Sequence, residues 1–317
     1  MCKDSNFQHI PVLYQALISN LEIKPDGVYV DCTAGGGGHS SGILQALSSA
    51  GLLIAIDRDP AALSATQMKL ESLNQTQAHY RLVEGKFSEV SRILEELQIE
   101  KVDGIIADLG VSSAQIDQAE RGFSFQQDGD LDMRMSPTNP LTAADFVNTA
   151  GREEIVRVLR LYGEEKFAGR IADKIVETRQ VRPLRRTFDL VDVIKAAVPA
   201  KSKREQHPAK RSFQAIRIYI NQELAELEKL LETLPGLMAP QGRIGIISFH
   251  SLEDRLVKQT FQQWEKPCTC PKDFPVCVCG KKPLGHVVNR KGIVADQAEI
   301  AANPRSRSAR LRVFVMN

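Results

Sequence analysis

The residues with the clearest chemistry lie close together near the start of the chain: Asp31, then Gly35, Gly36, Gly37 and Gly38, then His39. The glycine run follows a β-rich apolar segment, Val28 to Asp31, and precedes a helical pattern, Ser40 to Leu47. Glycine lets the backbone turn sharply there and approach a ligand closely, because no Cβ stands in the way. A second signal comes 22 residues after Gly35, where Asp57 ends the apolar segment Leu52 to Asp57. A carboxylate at that position can accept both hydroxyls of a ribose. Asp108 ends a further apolar segment, Val102 to Asp108, so three strand-ending acids would share one rim of a parallel sheet.

Two cofactor classes use such a loop. Dinucleotide sites favour G-x-G-x-x-G, but the position three after Gly37 is Ser40, so that fingerprint is incomplete. Asp31, Gly35 and Gly37 instead spell D-x-x-x-G-x-G, which suits S-adenosyl-L-methionine. That ligand has no pyrophosphate to seat on a helix N-terminus, and a carboxylate at Asp31 would repel one.

The elements that must hold these residues alternate in type, as in a parallel sheet covered by helices. Strands are expected at Val28 to Asp31, Leu52 to Asp57, Tyr80 to Glu84 and Val102 to Asp108, with helices at Ala61 to Leu73 and Ser88 to Leu97. From Ser112 to Pro208 the pattern predicts only loops and helices, with a long helix near Arg152 to Thr178. An amphipathic helix carrying Ile216, Ile220, Leu224, Leu227 and Leu231 follows, then strands at Arg243 to Phe249 and Leu311 to Met316. The expectation is an α/β fold, a doubly wound sheet interrupted by a helical insertion. Its core would be residues 1–111 and 210–317, and its insertion, a candidate RNA-recognition domain, residues 112–209.

Hydrophobic residues make up 43% of the 317 and charged residues 25%, an ordinary globular balance. No apolar run is long enough to cross a bilayer, and Met1 to Ile10 lack the pattern of a secretion signal, so a cytoplasmic protein without membrane partners is expected. The net charge of +2 hides a local excess. Thr178 to Arg217 hold eleven Lys or Arg against three Asp or Glu, and Asn303 to Asn317 add four arginines and no acid. A polyanion partner would require such an excess, and a solvated face would also produce it.

Beyond these features the chain resembles the bacterial small-subunit ribosomal RNA cytosine-N4 methyltransferases, the MraW or RsmH family. The resemblance is carried by His9 to Leu13, Asp31 to His39, Ala55 to Asp59, Asp108 to Ser113, Glu120 to Phe125 and Leu131 to Met135. It continues in His207 to Ala209, Phe213 to Arg217, Ser248 to Arg255 and Asn303 to Ser308, in order along nearly the whole chain. It implies a Rossmann-like class I methyltransferase core, S-adenosyl-L-methionine as cofactor, and methylation of a cytosine amine in the decoding region (P site) of 16S rRNA within the small ribosomal subunit. By position it also implies cofactor contacts at Gly37, Gly38, His39, Asp57, Phe87, Asp108 and Gln115.

A cytosine amine is a poor nucleophile, so a site acting on one needs an acceptor for its proton and a wall for an unstacked base. Other amino-methyltransferases place Asn or Asp before Pro-Pro and an aromatic; this chain has Asp108-Leu109-Gly110-Val111 instead. Asp108 and Asp132 are the candidate acceptors, Ser112 and Ser113 candidate helpers, and Phe123 and Phe125 candidate stacking residues that core packing would equally explain. Lys201, Lys203, Arg204, Lys210 and Arg211 are candidates for neutralising RNA phosphates.

Cys268, Cys270, Cys277 and Cys279 could hold zinc through four thiolates, but C-x-C is tighter than the usual ligand spacing, and a surface loop of reduced thiols is the alternative. No metal is assigned on this spacing. A nicotinamide dehydrogenase, a non-catalytic RNA-binding or assembly factor, and a methyltransferase of another substrate are the competing functions. Oligomeric state is not encoded in any of these motifs.

Overall fold

The computed structural model describes residues 11–73, 77–199, 207–271 and 278–317. Five strands run parallel: β1 (Val28–Asp31), β2 (Leu52–Asp57), β3 (His79–Glu84), β4 (Val102–Asp108) and β5 (Met238–Ser248). β8 (Arg310–Met316) pairs antiparallel with β5, and both β6 (Gly285–Val287) and β7 (Ile293–Val294) pair antiparallel with β8. The spatial order is β3-β2-β1-β4-β5-β8-β6, with β7 off this path on β8. The order reverses between β1 and β4, the point where open α/β sheets bind ligands beyond the strand ends.

The central strands read as near-continuous Val, Ile and Leu because both faces of the sheet are covered. Side chains alternate between the two covers. Ile105 and Ala107 of β4 join one core cluster with Val90, Leu227 and Phe261, from α4 (Val90–Glu96), α11 (Glu223–Leu237) and α12 (Ser251–Glu265). Ile106 joins the other, with Leu17 of α1 (Tyr14–Leu21), Ile43 of α2 (Gly38–Ala46) and Leu70 of α3 (Pro60–Glu71). Each Val, Leu, Ile or Phe among them contributes about 1.5–3 kcal/mol on burial. The small α13 (Gln297–Ala302) precedes β8.

The chain divides into two compact units, residues 1–110 with 225–317, and residues 111–224. The second contains α5 (Ser113–Asp117), α6 (Ala143–Thr149), α7 (Arg152–Gly163), α8 (Ala168–Val181), α9 (Thr187–Ala197) and α10 (Lys210–Asn221) around its own apolar cluster. Here the boundary expected from sequence needs correction at its second end. Residues 210–224 fall in the second unit, because α10 packs on α7 and buries Phe213, Ile216 and Ile220 in the helical cluster.

Two predicted helices are also broken. The long helix near Arg152 to Thr178 stops at Glu164, whose φ of +48° ends α7. Its interior glycine, Gly163, is there for close packing: a Cβ would come within 2.7 Å of the Arg211 carbonyl. The helix expected through Ile216 to Leu231 breaks at Gln222, φ +53°, after Asn221 has turned its side chain to the backbone of Met133 and Met135. Helical spacing of apolar residues carries across both breaks, so periodicity alone conceals them. Among the described residues no helix is long and apolar enough to cross a membrane.

Candidate cofactor site

β1, β2 and β4 are parallel, so Asp31, Asp57 and Asp108 all lie at the carboxyl edge of the first unit's sheet. They do different work there. Asp31 is fully buried; one oxygen accepts from the Thr33 N–H at 3.0 Å and the other from the Ser40 hydroxyl at 2.6 Å. It therefore ties the strand end to the first turn of α2 and shapes the loop from within. Burial pushes its carboxyl up, opposed by the Ser40 hydrogen bond, by His39 and by the Thr33 amide.

Asp57 reaches the loop from β2. Its Oδ2 accepts from the Gly35 N–H at 2.8 Å and its Oδ1 from the Asp59 N–H at 2.9 Å. Burial raises this carboxyl too, against the two amide hydrogen bonds. It is half-buried, and each carboxylate oxygen has a second lone pair beyond the amide it already accepts.

The glycines divide by what surrounds them. Gly35 and Gly37 have φ of +54° and +74°, the left-handed region that favours glycine. A Cβ on Gly36 would meet nothing within 4 Å, so this part of the loop faces open space that a ligand could fill. Gly38 is different: a Cβ there would lie 2.2 Å from Pro11, so its hydrogen is required by packing.

His39, the second residue of α2, is only 5% exposed and stacks on Tyr14 with ring centroids 6.1 Å apart. Neither ring nitrogen has a hydrogen-bond partner. Nε2 lies 3.6 Å from Asp108 Oδ2, and Asp108 Oδ1 is likewise buried without a partner. Buried polar atoms are nearly always satisfied, so these three orphans at one strand end are atoms that a polar ligand could pair. The Asp108 backbone N–H donates to Thr33 Oγ1 at 2.6 Å, which locks the end of β4 to the glycine loop.

Phe87 is 7% exposed and packs with Val90 and Ile93 in the sheet core, with the Arg58 guanidinium 5.6 Å over its ring. The structure thus places it first as a packing residue. The remaining expected residues lie in the second unit. Ser112 and Gln115 form a reciprocal cap on α5: Ser112 Oγ accepts from the Gln115 N–H, and Gln115 Oε1 accepts from the Ser112 N–H. Ser113 is the first residue of that helix. Asp132 is engaged by Arg134, whose Nε and Nη2 reach its two oxygens at 2.7–3.1 Å.

Phe123 is buried in the helical core beneath Arg121, and Phe125 stacks on His207 at 4.6 Å. The basic stretch is partly consumed internally. Arg179 donates to the Val147 and Ala150 carbonyls, Arg186 pairs with Asp128, and Arg217 grips Glu223 with two hydrogen bonds. Lys210 and Arg211 are exposed on α10, while Lys201, Lys203 and Arg204 lie outside the described residues.

Sequence reasoning missed Thr33 and Ser40 as builders of the loop, and it missed the end of β5. There His250 Nε2 lies 3.1 Å from Glu253 Oε1, and buried Glu253 accepts the Phe249 N–H. The available signal was positional: Ser248 ends a strand parallel to β4 at the same edge.

A family model described as "MraW methylase family" matches residues 6–317. The chain is 52% identical over 310 residues to a protein of Symbiobacterium thermophilum named "Ribosomal RNA small subunit methyltransferase H", covering 98% of this chain and 96% of that one. A relative of the same name from Acetivibrio thermocellus is 53% identical over 309 residues, covering 97% and 98%. One from Clostridium botulinum strain Kyoto is 51% identical, covering 97% and 98%. On these matches, which span the glycine loop and all three rim aspartates, the chain belongs to the MraW methylase family.

Proposed function

We propose that this protein transfers the methyl group of S-adenosyl-L-methionine to the N4 amine of a cytosine in the decoding region (P site) of 16S rRNA. The observation that carries the cofactor reading is the group of unpartnered buried atoms on His39 and Asp108 beside a glycine loop held by Asp57. The names of full-length relatives support the RNA of the small subunit as substrate. A ribosomal substrate also argues for action in the cytoplasm.

The residues fit that cofactor. Asp57 offers carboxylate lone pairs to ribose hydroxyls, and Gly35 to Gly37 leave the backbone bare where a ligand must come close. Gly38 keeps α2 against Pro11, so that His39 is presented at the strand end. Phe87 forms an apolar wall beyond β3, and Gln115 and Ser112 order the start of α5. When bound, adenosylmethionine supplies an electrophilic methyl group on a sulfonium.

Asp108 is the acceptor for the amine proton, since its Oδ1 is buried and without a partner. Asp132 is less suited, because both of its oxygens are already committed to Arg134. Ser112 and Ser113 remain helpers through hydroxyl or backbone groups. The second unit recognises RNA, with Lys210 and Arg211 among its phosphate contacts.

Incubation of the protein with labelled adenosylmethionine and small subunits lacking the modification tests this reading. N4-methylcytosine in the decoding region, abolished by Asp57→Ala, is the expected result. Cofactor binding without label in the RNA would reject the substrate and leave the cofactor site standing.

A further inference from the structure

Four cysteines crowd between positions 268 and 279, in the segment that joins α12 to β6. The sulfurs of Cys268, Cys270 and Cys279 all lie within 4.8 Å of one another. Cys277 lies outside the described residues. A tetrahedral zinc ion with Zn–S of about 2.3 Å sets its sulfurs about 3.8 Å apart, so the observed cluster needs at most a contraction of roughly 1 Å. Cys270 Sγ also accepts from the Val278 N–H at 3.4 Å, an amide contact of the kind that orients a ligand sulfur.

Among the described residues from 266 to 284 none is buried, and Val278 is 72% exposed. Hydrophobic burial therefore does not fix the described part of this stretch. Its base is closed by the Leu284 N–H on the Trp264 carbonyl and the Asn317 N–H on the Leu284 carbonyl, each at 2.9 Å. Between those anchors, three side chains capable of metal ligation converge. The tight C-x-C spacing is no obstacle, because the third sulfur arrives from Cys279 on the returning limb.

We propose that Cys268, Cys270 and Cys279 bind one zinc ion as thiolates, and that the ion staples the 266–284 segment. Loading releases the three thiol protons and forms three Zn–S bonds, with no change of oxidation state. Three thiolates on one divalent ion leave a formal charge of −1, and Lys266, Lys281 and Lys282 bracket the site in sequence.

The test uses the full chain, purified under reducing conditions. Elemental analysis is expected to find about one zinc per chain in the wild type and in Cys2→Ser, and well under half of that in Cys270→Ser and Cys279→Ser. Cobalt added to the metal-stripped wild type is expected to give a sulfur-to-cobalt charge-transfer band and the visible bands of tetrahedral cobalt. Chelation should speed amide exchange in 266–284 while leaving the sheet protected. Absence of both zinc uptake and the charge-transfer band in the reduced wild type would overturn the proposal, and so would a disulfide joining two of the three cysteines in protein alkylated at lysis. If the serine variants fail to fold, the cobalt titration of the wild type decides alone.

Discussion

His39 Nε2 stands 3.6 Å from Asp108 Oδ2, and neither nitrogen of the buried ring has a hydrogen-bond partner. Burying a polar side chain in this state costs stability. His39→Phe keeps the stacking on Tyr14 and removes the unsatisfied atoms. It should raise the melting temperature, since each orphaned group costs about 1–3 kcal/mol. The same change should weaken adenosylmethionine binding about tenfold, or roughly 1.4 kcal/mol, by calorimetry. Unchanged affinity would remove His39 from the site.

Asp57 gives a pH dependence whose sign comes from its surroundings. Burial raises its carboxyl, against hydrogen bonds from the Asp59 and Gly35 amides, with Asp59 adding repulsion and Arg58 attraction. Protonation then sets in at a higher pH than for a free aspartate, so cofactor affinity should decline on acidification from above the ordinary carboxylate range. Asp57→Asn should bind weakly at every pH, with a flat profile. For stability the direction is opposite: a raised carboxyl favours the fold most below its unfolded pKa, and that contribution is lost as pH rises through the folded value. Titrations of cofactor affinity and of thermal stability on both proteins check the two signs.

Two neighbouring glycines should separate function from packing. Gly36→Ala places a methyl group in open space, so the melting temperature should hold while cofactor affinity falls. Gly38→Ala drives a methyl group against Pro11 and should cost about 1–3 kcal/mol of stability by denaturant unfolding. Equal stability losses in both would mean that the loop is not a cradle.

The cations of the helical unit should likewise divide. Lys210 is exposed, and Lys210→Ala should reduce the slope of log affinity for RNA against log salt by about 1 without altering stability. Arg217 is 16% exposed and its partner Glu223 only 5%. Arg217→Ala removes the cation from that buried carboxylate, and should cost about 3 kcal/mol of stability.

Asp132→Asn should lower stability by about 1 kcal/mol through its weakened pairing with Arg134, while single-turnover methylation stays within about twofold. Asp108→Asn should abolish the same reaction with the fold intact. If turnover fails instead at Asp132, the acceptor assignment is reversed.

How far the sequence discloses each element depends on the kind of information that element needs. β1, β2 and β4 begin and end where their apolar runs do, because strands buried on both faces must be apolar throughout. Asp31, Asp57 and Asp108 could be placed on one edge for the same reason. What each aspartate does was not legible: whether an acid turns inward to Ser40, as Asp31 does, or toward open space depends on tertiary contacts. The breaks at Glu164 and Gln222 were hidden because neither residue is glycine, so no local signal announces a left-handed φ. β6 and β7 are short strands of three and two residues, too brief for a period to be read.

The strand order has a consequence for the sequence of events in assembly. β4 lies beside β5, yet residues 111–224 separate the two halves of the sheet unit along the chain. During synthesis β1 to β4 emerge with β4 as an open edge, and a whole helical unit is made before β5 can cover it. β8 then has to enter between β5 and β6, both of which precede it. The cofactor edge is complete only when distant stretches of chain have met, so the slow step of folding should be closure of this seam, with the helical unit acquiring its own core before that.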